Sequence, residues 1–193
     1  MTACIVVCPT YNNRSSHDSY DYELAIRLTA LFPRELVHDL MRAVAASFST
    51  YGSRTTFKEN RSNRVFAGLS MGSVQTWRVF EQCLDVFAHF MPSSGNLTSD
   101  GTFFERIVER SGYGPEDFSI LAMSGTNDFA REAFSYQIKQ MEMQKDFIKG
   151  QNIAYLEKKG YGHNHQAAII YFYNSFIKGF PIHSTIDSCL NMA

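Results

Sequence analysis

Ser70 occupies the centre of Gly68-Leu69-Ser70-Met71-Gly72, with an apolar run at 64–69 before it and a helix-like run after it. A serine on a sharp strand-to-helix turn has its hydroxyl pushed outward, and the helix behind it offers first-turn amides. The residues two positions away, Gly68 and Gly72, read as small so that this turn can close. The pattern is that of an acyl-transfer nucleophile, with the Met71 amide as the expected donor to a developing oxyanion. A plain tight turn is the other reading of the same five residues. The nucleophilic reading needs a base and an orienting acid elsewhere in the chain.

Later strand ends supply candidates for both. Ser124-Gly125-Thr126-Asn127-Asp128 follows the apolar run at 118–124 and puts Asp128 in a Gly-led loop. An Asp here also suits the start of the next helix, so locally both roles stay open. The stretch "KKGYGHNHQ" at 158–166 follows the run at 152–157 and carries His163 and His165. His163, preceded by Gly-Tyr-Gly, is the preferred base; His165 opens the last helix and reads as a cap or a cleft-lining residue. The chain order is then nucleophile Ser70, acid Asp128, base His163. Tyr11, Trp77, Phe129 and Tyr161 lie near these loops and are candidates to bind an aromatic group. Core or rim packing is the bland alternative for each of the four, most of all for Trp77.

These residues need a scaffold that brings distant loops together. The apolar runs at 3–9, 64–69, 86–95, 118–124 and 152–157 predict strands, the first, "ACIVVCP", buried on both faces. Helices are expected at 32–48, with Pro33 in the first turn, and at 71–85, 101–112, 131–150 (stopped by Gly150) and 165–180. Strands alternating with helices of this length imply a parallel sheet with helices on both faces, whose ligands sit outside the carboxyl ends of the strands.

The chain has 193 residues, of which 45% are hydrophobic, enough for one domain over 1–193 with its own core. The formal net charge is −1 and no basic face is concentrated along the chain, which argues against nucleic-acid or anionic-membrane partners. No apolar run approaches the roughly 18 residues of a membrane-spanning helix, and the start of the chain does not read as a secretion signal. Cys4, Cys8, Cys83 and Cys189 match no zinc spacing and are expected to be buried thiols, Cys4 and Cys8 on one face of the first strand.

Taken together, "RVFAGLSMGSVQTW", "FMPSSGN", "SGTNDFA" and "GYGHNHQ" resemble the feruloyl (cinnamoyl) and acetyl-xylan esterase branch of the α/β-hydrolase superfamily, near the esterase-D-like esterases. The resemblance runs over nearly the whole chain, from "IVVCPTYN" to the last helix. It implies a three-layer α/β-hydrolase-type, mostly parallel sheet, N-terminally truncated relative to the family. It implies Ser70, Asp128 and His163 as a triad, no metal or organic cofactor, and an extracellular setting. The implied substrates are feruloylated or acetylated plant polysaccharides, or a small ester. A catalytically impaired binding module is the alternative, as is an enzyme for another acyl group. The family's strands ahead of "IVVCPTYN" and its His-Gly-Gly-type oxyanion loop have no counterpart among these motifs. The strand at 3–9 would then lack a neighbour, which leaves three expectations: the chain is a fragment of a longer protein, the strand pairs directly with 64–69, or, the one preferred, a homodimer covers its exposed edge. Ala168 stands where the family often has Trp.

Overall fold

The computed structural model describes residues 4–12, 15–50 and 57–179. Four strands form one sheet: β1 (Val65–Leu69), β2 (His89–Ser93), β3 (Ser119–Gly125) and β4 (Ile153–Lys158). Their order is β1-β2-β3-β4 and every pairing is parallel, with Ala67 opposite Met91 and Leu121 opposite Ala154. All four carboxyl ends therefore emerge on one edge of the sheet.

The chain reaches the sheet through a long helical rod. Asp21 caps α1 (Tyr22–Glu35) by accepting the Leu24 N–H at 3.0 Å. This helix starts well before the expected 32–48, and Pro33 sits near its end, not in its first turn. Proline cannot donate to the preceding turn. The rod passes into a π-helical turn at Leu36–Leu40, where the Met41 N–H bonds the Leu36 carbonyl, and continues as α2 (Met41–Ser47).

The remaining helices are α3 (Met71–Cys83), α4 (Gly101–Ser111), α5 (Arg131–Glu142) and α6 (His165–Gly179). α4 ends on Gly112 in the left-handed conformation, φ 75°. α5 stops short of the expected 150 because Phe147 turns inward and is buried against Phe80 and Phe118. Asn152 ties that loop down: its Oδ1 accepts the Ile148 N–H and its Nδ2 donates to the Asp146 carbonyl, both at 2.8 Å. Gly150, φ 79°, serves this turn and not a helix end.

Alternation along the strands separates two faces. Phe66, Phe90, Ile120, Ala122 and Ile153 face a large core shared with Phe32 and Leu36 and with α3, α4 and α5. Met123, on the opposite face, packs with Ala167 and Tyr171 of α6. Helices thus cover both faces, as expected for the three-layer class.

The first expected strand does not form. Residues 4–10 have no regular structure and are exposed, including Ile5, Val6 and Val7. A strand exists only where a neighbouring backbone accepts its hydrogen bonds, and among the described residues no ladder includes 4–10. Cys4 and Cys8 are accordingly exposed, while Cys83 is buried as expected. Cys189 lies outside the described residues. The dimer expected through the edge of this strand loses the element on which it rested.

Candidate active site

Ser70 leaves β1 with φ 59° and ψ −117° and immediately begins α3. Few residues with a side chain adopt positive φ, so neighbours must hold the turn. The Ser70 N–H donates to the Ser93 carbonyl at 2.9 Å, and the Ser70 carbonyl accepts from Ser73 and Val74 at 2.9 and 3.1 Å. A Cβ on Gly68 would collide with the Gly72 carbonyl, so Gly68 must be small. Gly72 has open space where its own Cβ would stand, and the steric need expected there is absent. Met71 is the first residue of α3, and its amide comes ahead of the Ser73 and Val74 amides that donate to the Ser70 carbonyl.

The segment after β2 cradles this elbow. The Gly95 carbonyl accepts Ser73 Oγ–H at 2.7 Å and Trp77 Nε1–H at 2.9 Å, and a Cβ on Gly95 would strike the Ser70 carbonyl. The likeness carried by "FMPSSGN" does not by itself reveal this support. A Gly just past a strand end beside the elbow was the available signal.

Asp128 and His163 meet across two loops. His163 Nδ1 lies 2.9 Å from Asp128 Oδ1 and 3.1 Å from Oδ2. A carboxylate only accepts, so Nδ1 donates, and in the neutral imidazole Nε2 is the acceptor a general base needs. The Asp128 side chain is wholly buried and that of His163 is 17% exposed. Asp128 Oδ1 also accepts the Ala130 N–H at 2.8 Å ahead of α5. Ala130, not Asp128, is the N-cap of α5, and no side chain caps that helix; one Asp128 carboxylate holds the turn ahead of it and orients His163. Asn164, not His165, caps α6 by accepting the Ala167 N–H at 2.9 Å; His165 is exposed.

The loops that carry Asp128 and His163 are fastened to each other by two backbone bonds and one to a side chain. Thr126 N–H donates to the Lys158 carbonyl at 3.1 Å, Asn127 N–H to the Tyr161 carbonyl at 3.0 Å, and Gly160 N–H to Thr126 Oγ1 at 2.9 Å. Arg131, at the start of α5, grips Glu157 at the end of β4 through two bonds of 2.9 and 3.0 Å. The Arg131 guanidinium holds the Glu157 carboxyl below its usual range. Tyr155 donates to Glu157 at 2.9 Å and accepts from Ser124 at 2.5 Å, and burial raises its phenol. None of these four residues was singled out from sequence, because their partnership appears only when β3 and β4 lie side by side.

The expected aromatic contacts separate. Phe129 is 82% exposed and its ring lies on His163, centroids 4.4 Å apart, so it borders the pair. Tyr161 is half-buried, packs in the α6 cluster and contributes its carbonyl to the loop junction. Tyr11 is half-buried against the large core. Trp77 has no exposed surface and packs between Phe104 and Phe134. It is a core residue, and a substrate contact there is ruled out by burial.

A parallel sheet with an elbow serine after β1, an acid after β3 and a histidine after β4 defines an α/β-hydrolase-type fold. No protein-family model matches the chain. It is 30% identical over 174 residues to endo-1,4-beta-xylanase Y of Acetivibrio thermocellus, covering 82% of this chain and 15% of the xylanase. It is 28% identical to a serine-to-alanine mutant of the feruloyl esterase module from Clostridium thermocellum complexed with sinapinate, at a TM-score of 0.70 over 75% of this chain and 56% of that one. The enterobactin esterase of Shigella flexneri shares the fold at 17% identity and a TM-score of 0.56, over 86% of this chain and 42% of its own. Within the α/β-hydrolase superfamily, the chain resembles the feruloyl esterase modules. It spans about half the length of the solved modules it matches.

Proposed function

We propose that the chain is a serine carboxylic-ester hydrolase that releases hydroxycinnamoyl or acetyl groups from plant cell-wall polysaccharide. The observation that carries this reading is the buried Asp128–His163 pair, whose Nδ1-to-carboxylate bond makes Nε2 the acceptor of the neutral imidazole, on the same sheet edge as the strained Ser70. In this reading His163 Nε2 takes the Ser70 proton as Oγ attacks the ester carbonyl. The amide of Met71 takes up charge on the carbonyl oxygen. His163 returns the proton to the departing sugar oxygen, leaving an acyl-Ser70. Water, activated by the same Nε2, then releases the acid.

The likeness to a module that holds sinapinate supports an aromatic acyl group, and Phe129 beside His163 offers an aromatic face for it. The test is hydrolysis of p-nitrophenyl acetate and methyl ferulate by the purified chain beside Ser70→Ala. Turnover that disappears in the variant is expected. Equal rates for the two proteins would refute the reading.

A further inference from the structure

Asp128 and His163 sit in loops that leave neighbouring strands, and the backbone bonds between those loops come from Thr126 and Asn127, ahead of Asp128. Past Asp128 the chain enters α5, and the Arg131 N–H donates to the Asp128 carbonyl at 3.1 Å. The Arg131 side chain then turns back to β4: Nε donates to Glu157 Oε1 at 2.9 Å and Nη2 to Oε2 at 3.0 Å. These contacts close a ring. It runs from Asp128 through Arg131 to Glu157, along the end of β4 to His163, and back through the 2.9 Å bond from Nδ1 to Asp128.

Glu157 is itself held from a second direction. Its Oε1 also accepts the Tyr155 hydroxyl at 2.9 Å, and the Tyr155 oxygen accepts from Ser124, the residue opposite Glu157 in the β3–β4 register. The Tyr155 ring packs edge-on against Phe134, centroids 5.8 Å apart, and Phe134 lies one turn along α5 from Arg131. Two contacts thus seat the first turn of α5 on one face of β4. The Arg131 and Glu157 side chains are 40% and 28% exposed. An ion pair this close to water adds little to folding. A planar fork on both oxygens of a carboxylate, however, fixes an angle as well as a distance. What the pair contributes is therefore geometry, and the backbone it fixes is the one that carries Asp128.

We propose that Arg131 and Glu157 are positioning residues, a two-bond tie between the first turn of α5 and the end of β4 that sets how Asp128 meets His163. Without the fork, α5 can rock on the Tyr155–Phe134 contact, and the Asp128 carbonyl moves with the Arg131 N–H. The bond to His163 Nδ1 then lengthens or bends, and the imidazole loses its fixed direction toward Ser70. The kinetic part of the test rests on the esterase reading above; the spectroscopic part does not.

The experiment compares Arg131→Met, Arg131→Lys, Glu157→Gln and the double variant Arg131→Met/Glu157→Gln, each in the full chain. Methionine keeps an unbranched stem without the fork. Lysine keeps the charge and the fold but offers a point donor in place of two parallel ones. The kcat for p-nitrophenyl acetate is expected to fall about tenfold in Arg131→Met and Glu157→Gln, the rate equivalent of about one hydrogen bond, with KM unchanged. Arg131→Lys should recover little of this, and the double variant should fall no further than the singles, because the two side chains act as one unit. The low-field proton resonance of His163 Nδ1–H is expected to move in all four. Lys145→Met, which breaks the exposed 2.8 Å pair with Glu109 beyond the other end of α5, is the control and should move neither readout. An unmoved resonance in the Arg131 and Glu157 variants overturns the tie, whatever the turnover, and so does an equal shift in the control. Full recovery by lysine overturns the fork. A moved resonance in a chain without Ser70-dependent hydrolysis retains the tie and refutes the esterase.

Discussion

Asp128 serves two hydrogen bonds that one substitution can separate. Its Oδ1 accepts from the Ala130 N–H at 2.8 Å and from His163 Nδ1 at 2.9 Å. In Asp128→Asn, the amide oxygen can keep the Ala130 bond while the amide nitrogen turns toward His163. Two donors then face each other unless the imidazole changes tautomer. Its proton moves to Nε2, the atom that must accept from Ser70. The expected loss in kcat is about 10⁴, which is about 5.4 kcal/mol of barrier at about 1.36 kcal/mol per decade. Folding should suffer far less, by about 1–3 kcal/mol, the cost of weakening one charge-assisted bond in a buried site. Asp128→Ala also removes the bond to the Ala130 N–H and adds about 1 kcal/mol of destabilisation. Turnover of p-nitrophenyl acetate and urea unfolding, measured on both variants, read the two effects separately. An Asn variant within tenfold of the parent rate would refute the orienting role and leave Asp128 only a brace for the turn ahead of α5.

The two glycines around the elbow should part company. Gly95→Ala drives a methyl into the Ser70 carbonyl and should cost about 1–3 kcal/mol in stability and about 10² in kcat. Gly72→Ala meets open space inside a helix and should raise stability by about 0.5–1 kcal/mol with turnover kept; thermal melts and initial rates check both. Phe129→Ala, at an exposed site, should leave stability within about 0.5 kcal/mol while raising KM for methyl ferulate and not for p-nitrophenyl acetate. Alkaline pH should weaken the fold. Burial, aided by the Asp85 charge, pushes Cys83 from 9.0 to about 12, and burial with the Asp128 charge pushes Tyr171 from 10.0 to about 12. Below pH 9 both groups are protonated, folded or unfolded. Above it the unfolded chain releases protons that the folded chain holds, so the urea midpoint should fall steadily as pH rises toward 12.

The site's outline was legible because its chemistry sits in short contiguous signals. Gly68 to Gly72, Gly125 to Asp128 and Gly160 to His163 each follow a continuous apolar run, and the four runs from 64 onward did become parallel neighbours. The run at 3–9 carries the same local signal and forms no strand. Periodicity reports what a segment could do if given a partner, and pairing is decided by distant backbone. The start of α1 was hidden for a related reason: its cap, Asp21, ends a stretch of turn-forming residues that masked the helix behind it. Trp77 looked available for a substrate because sequence places it one helical stretch beyond Ser70. Its burial depends on Phe104 and Phe134, on other helices. The same logic governs support for Ser70, Asp128 and His163. The residues that could do chemistry could be named from their loops, whereas those that hold them in place, Gly95 under Ser70 and Arg131 against Glu157, take their roles from strands brought side by side. Precision in such a site therefore belongs to the sheet edge as a unit. Substitutions at those supports should lower turnover without touching any atom of a substrate.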